Sequence, residues 1–191
     1  TSSYSELNQY HLGLWYSAYR LIISTGLLLI FLLTYPDMTT DYQYPKLYHY
    51  ALMIGVAVNT VQLFTLRWVK RLIQPQFILI FASDVFFLSL LTLASQGPNV
   101  HLGLIFVITI FSASLLLDAK KALIITLIAV ISIIYQHFIG SIFAFSSLTN
   151  IGNSALLAFL FFVVYGSGQI AVRRFQILEN LNFSQSLELY R

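Results

Sequence analysis

The sequence contains no cysteine, so it forms no disulfide, offers no thiolate to a metal and attaches no c-type haem. Charge is nearly as scarce: Asp, Glu, Lys and Arg make up 9% of 191 residues, against 58% hydrophobic. Soluble domains carry about 25% charged residues, and a chain this apolar lacks the polar surface to cover itself in water. With a mean hydropathy of +0.80, its expected solvent is a bilayer. No basic stretch and small-residue cleavage site precede the first apolar run, so that run does not read as a signal peptide. Internal repeats of roughly 20 to 50 residues are missing, as is any inverted pair of Gly- or Pro-broken spans, which weakens a carrier reading. Neither paired carboxylates, nor a Ser/His/Asp triad, nor a kinase motif can be assembled, so no catalytic residue is assigned.

What charge there is has a pattern. Eight of the ten Lys and Arg residues fall in three places: Arg67 to Arg71, Lys120 with Lys121, and Arg173 to Arg191. Each place follows every second long apolar run. Cytoplasmic loops collect Lys and Arg while translocated loops do not, so the pattern predicts six spans with both termini cytoplasmic. A pI near 9.2 then reports topology rather than nucleic-acid binding. At about 20 residues per span, the spans use about 120 residues and leave no room for a folded soluble domain.

The expected fold is an all-α polytopic membrane bundle. Residues 1–13 form a cytoplasmic N-terminal segment, 14–172 the six-helix domain, and 173–191 an exit helix running on into the cytoplasm. The spans run about Leu14 to Tyr35, Leu47 to Leu66, Gln76 to Ser95, a short His101 to Leu117, Ala122 to Ile142 and Gly152 to Val172. Trp15, Tyr16 and Tyr19 are placed as an interfacial belt, and Pro75 in the first turn of the third span. Outer connections are a Tyr-rich loop from Pro36 to Lys46, a tight Gln96-Gly97-Pro98-Asn99 turn, and Phe143 to Asn150. After Arg174 there is no Gly or Pro, and Ile177, Leu178, Leu181, Leu187 and Leu189 sit among polar residues, which suggests a coiled coil with an imperfect heptad. Since the chain starts at Thr1 and stops within that helix, a trimmed start and a continuation are expected.

Inside the spans, polar residues are few enough to weigh singly. Arg20 and Asp84 lie six and eight residues into the first and third spans, depths of about 9 and 12 Å. Asn59, Ser112, Thr126 and Ser167 fall in the same inner layer. A charge at that depth costs about 2.5 to 3.5 kcal/mol on insertion scales. Three readings stay open: Arg20 and Asp84 pair to hold two spans together, one of them meets a ligand or another membrane helix, or Arg20 snorkels to the interface. His49, His101 and His137 lie toward the outer side on three spans, with no pair at a metal-binding spacing, and read as structural; a bis-His haem or a quinone neighbour is the sharper alternative. His11 reads as inert. Gly166 and Gly168, with Ser112, Ala113 and Ser114, fit close helix packing better than phosphate binding.

Tyr16, Tyr19, Arg20 and Leu21 form a Tyr-x-x-Tyr-Arg-Leu pattern, followed by Phe77 to Leu79 and Asp84-Val85 in the third span and by Arg173-Arg174 before the exit helix. In these motifs, and in span order and loop length over nearly the whole chain, the sequence resembles the membrane input region of the PilS sensor histidine kinases of type IV pilus control. The resemblance implies a homodimeric two-component sensor in the bacterial inner membrane. It also implies downstream PAS, phosphoacceptor and ATP-binding domains, where ATP and Mg would be the cofactors; this fragment would bind none and would not itself be an enzyme. The implied partners are membrane lipid, the major pilin's transmembrane helix and the response regulator PilR. In that setting Arg20, Asp84, Asn59, Tyr16 and Tyr19 are the expected pilin-sensing residues, and Arg173 and Arg174 the output. Two alternatives differ: a quinone-sensing six-span kinase input of the RegB type, whose motif would fall at Gly97 and Asn99 but here runs Asn99-Val100-His101, and a small proton- or cation-coupled transporter using Asp84.

Overall fold

A computed structural model of the chain describes residues 2–34, 42–69, 73–95, 100–142 and 150–189. The regular elements among them are α1 (Ser2–Thr34), α2 (Pro45–Trp68), α3 (Ile73–Ala94), α4 (Val100–Leu116), α5 (Ala119–Ile142) and α6 (Asn150–Leu189). The all-helical expectation is therefore met. The connections at 35–41, 70–72, 96–99 and 143–149, with Asp37, Asp41, Lys70, Arg71, Gly97 and Asn99, lie outside the described residues, as do the side chains of His137, Leu187 and Leu189.

Element boundaries follow local chemistry. Pro45 opens α2 at its first turn, where a missing N–H costs nothing, and Pro75 sits in the first turn of α3. Conformationally, residues 2–13 are not a separate segment, because α1 is one helix from Ser2 through the first span. The exit helix is likewise continuous with the sixth span: α6 runs 40 residues and passes Arg173 and Arg174 without a break. At 1.5 Å per residue it is about 60 Å long, twice the hydrocarbon core of about 30 Å.

In α1, α2, α3, α5 and α6 the chain has stretches long and apolar enough to cross a membrane; the apolar part of α4 is shorter. At 17 residues, α4 reaches about 25 Å. Its burial explains the tolerance for a short element. Phe106, Ile110, Ala113 and Leu116 are almost wholly covered, because α4 packs against α3, α5 and α6 and touches α1. Elsewhere α1 packs on α2, α2 on α3, α3 on α5 and α5 on α6. Lipid-facing positions carry exposed Leu, Ile, Val and Phe. Where α2 begins, the Tyr44 N–H donates to the Ala94 carbonyl at 3.1 Å, and Phe31 gathers Tyr42, Tyr48 and His49 around its ring.

Small residues set the closest helix approach. A Cβ on Gly168 would lie 2.5 Å from the Ser114 Cβ, so α6 meets α4 there at backbone distance. The Gln169 amide donates to the Ser114 carbonyl at 3.3 Å and the Tyr165 hydroxyl to the Ala119 carbonyl at 3.0 Å, which brackets the contact. Gly166, by contrast, has nothing within 4 Å, so the packing role expected of both glycines belongs to Gly168. Replacing Gly168 by Ala should lower stability by about 1–3 kcal/mol through overpacking, while Gly166→Ala should be neutral or slightly stabilising through helix propensity. Thermal unfolding of both variants in lipid nanodiscs measures the difference; equal melting of the two would contradict the α4–α6 contact.

Candidate functional site: a buried arginine–aspartate network

Arg20 sits on α1 with Tyr16 one turn before it and Ser24 one turn after, so all three lie on one stripe of the helix. That stripe faces α2 and α3. The Arg20 side chain is 4% exposed and its guanidinium pairs with the Asp84 carboxylate of α3. Arg20 Nε donates to Asp84 Oδ1 at 2.6 Å, and the Tyr16 hydroxyl donates to Asp84 Oδ2 at 2.8 Å. From α2, Gln62 Oε1 accepts from Nη1 at 3.0 Å and Asn59 Oδ1 from Nη2 at 2.7 Å. A longer contact of 3.4 Å joins Nη2 to the Ser83 hydroxyl. The remaining amide groups close the net: Asn59 Nδ2 donates to Ser24 Oγ at 3.1 Å, and Gln62 Nε2 to Ser83 Oγ at 3.1 Å.

Physically, this is a charge-neutral knot in which every guanidinium nitrogen has a partner. Removing water from two ions costs several kcal/mol each, and the pair survives burial because neutral amides and hydroxyls take up the remaining donors and lone pairs. Aromatic rings seal one side. Tyr16 packs against Phe81 with ring centroids 4.9 Å apart, and the Arg20 guanidinium carbon lies 5.9 Å from the Tyr16 ring centre. One turn before Tyr16 on α1, Gly13 lets the Phe77 ring of α3 lie against the helix backbone.

Beside the knot lies a cleft of about 60 Å³ among α1, α2, α3 and α4. Tyr19, Arg20, Asn59 and Asp84 contribute to its polar part, and Ile23, Leu27, Leu88 and Ile105 to its walls.

The five residues expected to sense a partner, Arg20, Asp84, Asn59, Tyr16 and Tyr19, come together here. Tyr16 corrects part of the reading, because it is 8% exposed and bonded to Asp84 rather than interfacial; of the proposed belt, Trp15 alone is largely exposed, at 75%. Snorkelling of Arg20 is displaced by the inward pairing. Ser112, Thr126 and Ser167 do not join the net: Thr126 and Ser167 hydroxyls donate to carbonyls of their own helices. Arg173 and Arg174 are exposed on α6, away from the site. His11 and His101 are exposed, and His49 stacks on Phe31 with centroids 5.7 Å apart. Among the described residues no His, Cys, Asp and Glu cluster could hold a metal. Gln62, Ser83 and Ser24 were missed. Their signal was positional: Gln62 is three residues from Asn59, Ser83 adjoins Asp84, and Ser24 is four from Arg20, each within reach of the same spot.

A bundle of apolar helices joined through a buried ion pair defines a multi-pass membrane protein. Within that class the chain belongs to the family of PilS-like transmembrane domains, whose six-span model matches residues 2–181. It is thus a membrane sensory input domain of the PilS type. No curated protein and no solved structure matches the chain.

Breaking the pair from one side should be costly. Arg20→Ala leaves Asp84 buried without its cation and should destabilise the domain by about 3–5 kcal/mol, whereas the double change Arg20→Met with Asp84→Leu should recover most of that loss. Chemical denaturation in a fixed detergent compares the two; a double variant no better than the single would mean that the pair's hydrogen-bonded neighbours, not its charges, carry the cost.

Proposed function

We propose that this domain reads the pilin pool of the bacterial inner membrane and, through the histidine kinase of its parent protein, adjusts pilin transcription by way of the response regulator PilR. The observation that carries this reading is the Arg20–Asp84 knot, two charges buried among three helices beside a cleft. An ion pair at that depth is an expensive way to hold helices together. It is a suitable way to meet a carboxylate that arrives on another membrane helix, such as the one expected near the cytoplasmic end of the pilin helix.

Asp84 holds Arg20 through Nε and the ion pair while Gln62 and Asn59 take Nη1 and Nη2, so an incoming carboxylate competes with Asp84 for the guanidinium. Such an exchange keeps Arg20 paired, leaves the Asp84 carboxylate to meet water or take up a proton from it, and releases the α3 end of the ion pair from α1. Since α3 packs on α4 and α5, and both of these pack on α6, the released helix acts on the element that leaves the membrane at Arg173 and Arg174. Pilin must bind one of the two arrangements better than the other, or nothing is transmitted. By the same reading the sensor is a homodimer with both termini cytoplasmic, surrounded by lipid, and ATP with Mg serves the kinase domain.

A ring-sized ligand such as a quinone draws less support. An engineered cavity that holds benzene measures about 150 Å³, and this cleft is about 60 Å³.

Co-purification tests the partner. Pilin should be recovered with the wild-type domain, and Arg20→Lys, which keeps the charge but loses the planar fork, should reduce recovery by about tenfold; wild-type domain without pilin would overturn the reading, and equal recovery would remove Arg20 from the contact. In the parent kinase, Asp84→Asn weakens the grip on Arg20 and should change basal output of a pilin-promoter reporter at equal protein abundance. Unaltered output would count against exchange at Asp84.

A further inference from the structure

We propose that the adjoining α5 and α6 form a docking face for anionic phospholipid, with headgroup phosphates gathered by Lys120, Arg173 and Arg174 and acyl chains laid along two apolar rows. This face stands apart from the Arg20–Asp84 knot and needs no pilin.

Each row ends in a cation. On α5, Lys120, Ile124, Leu127 and Ile131 follow one another at intervals of four, three and four residues, so they share one stripe of the helix, and all four are exposed. On α6, Val163, Ser167, Ile170 and Arg174 repeat at the same spacing and are exposed as well. The opposite side of each helix is buried, at Ala122 and Ile125 in α5 and at Phe161 and Gly168 in α6. The two helices pack on each other, and the Tyr165 hydroxyl donates to the Ala119 carbonyl at 3.0 Å, next to Lys120. The start of α5 therefore lies at the end of the bundle where α6 leaves it. Between Tyr165 and Arg173 the helix rises by about 12 Å, so the cations spread through a headgroup layer and do not converge on one phosphate.

Charge decides which lipid the face selects. Asp118 pairs with Lys121 at 2.7 Å and neutralises it. Lys120, Arg173 and Arg174 form no ion pair among the described residues. Three positive charges thus face outward where membrane phosphates lie. A zwitterionic headgroup brings a cation with its phosphate, whereas an anionic one brings negative charge that only the protein balances. Each basic residue at such a surface favours the anionic lipid by about fivefold. The position also matters for α6 itself. Arg173 comes five residues after Gly168, where the helix lies directly on Ser114, so headgroups held there fix the helix just beyond its closest contact with the bundle.

The test uses the 191-residue chain in phosphatidylcholine nanodiscs without pilin, so its outcome is separate from that of the pilin reading. Traces of phosphatidylglycerol or phosphatidylcholine carrying a diazirine in one acyl chain are the two probes, and labelled residues are mapped by mass spectrometry. At Ile124, Leu127 and Ile170 the phosphatidylglycerol probe should label more than the phosphatidylcholine probe by at least about tenfold, the product expected of two or more cations. Arg174→Gln should lower that ratio about fivefold, and the triple change Lys120→Gln, Arg173→Gln and Arg174→Gln should bring it to about one. Lys46→Gln, which removes an exposed cation at the start of α2, should leave the ratio unchanged. Salt at 1 M, where the screening length falls to about 3 Å, should lower the ratio of the unaltered chain, and this arm holds even if the triple variant fails to fold. A ratio of one in the unaltered chain would show an apolar annulus without headgroup selection and overturn the proposal. So would a ratio that survives the triple change, one that falls as far with Lys46→Gln, or an equal preference at lipid-facing residues of α3 such as Leu79 and Phe86, each of which means attraction to net charge and not to this face.

Discussion

The bundle depends on one constraint: a guanidinium and a carboxylate cannot lie in hydrocarbon unless each finds the other and every leftover donor and lone pair is met. The sequence has one acidic and one basic residue deep in its spans, Arg20 and Asp84, on helices that are not neighbours in the chain. Pairing them ties α1 to α3 through side chains, with little backbone contact between the two helices. Satisfying the rest of the guanidinium then recruits Asn59 and Gln62 from the intervening α2. Apolar packing alone offers little direction in a solvent as greasy as the helices themselves. Polar demand supplies it, and so α1, α2 and α3 take a defined register while their outer faces stay free to meet lipid.

The second half of the bundle is held by different means. Here the contacts are uncharged: Gly168 on Ser114, Phe106 on Phe161 with centroids 5.4 Å apart, and buried Ala113, Ala122 and Ala129, beside the hydrogen bonds of Gln169 and Tyr165 to carbonyls of α4 and α5. Ser114 and Thr126 spend their hydroxyls on their own helix carbonyls, so they pack as small residues rather than as interhelical bonds. The domain thus joins a charged, exchangeable half to a close-packed half, and α4 touches both.

Much of this was legible in the residues. Apolar run length and the alternation of basic clusters lead to six helices, and depth counted along the spans puts Arg20 and Asp84 in one layer. What the pattern did not resolve was rotation about each helix axis. Tyr16 shows why: a Tyr at the head of a span suits an interface and a buried hydrogen bond equally, and its place on the Arg20 stripe, rather than its depth, makes the difference. Gln62 and Ser83 escaped notice for the same reason, since an amide or hydroxyl near a span end reads as ordinary until a charged neighbour is known to lie across from it. Gly166 and Gly168 are alike in sequence and opposite in structure, because two positions along a helix turn a residue by about 200° at 3.6 residues per turn.

The unbroken α6 carries a mechanical corollary. It is pinned near its middle, where Gly168 meets Ser114 with almost no clearance, and from there to Leu189 the helix extends a further 21 residues or about 32 Å. A straight rod on such a fulcrum turns angle into travel: a tilt of about 5° at the pin moves the far end by about 3 Å, half a helical pitch. Rearrangements too small to break any contact in the packed half are therefore delivered, at the end of α6, as displacements of the size of a side chain.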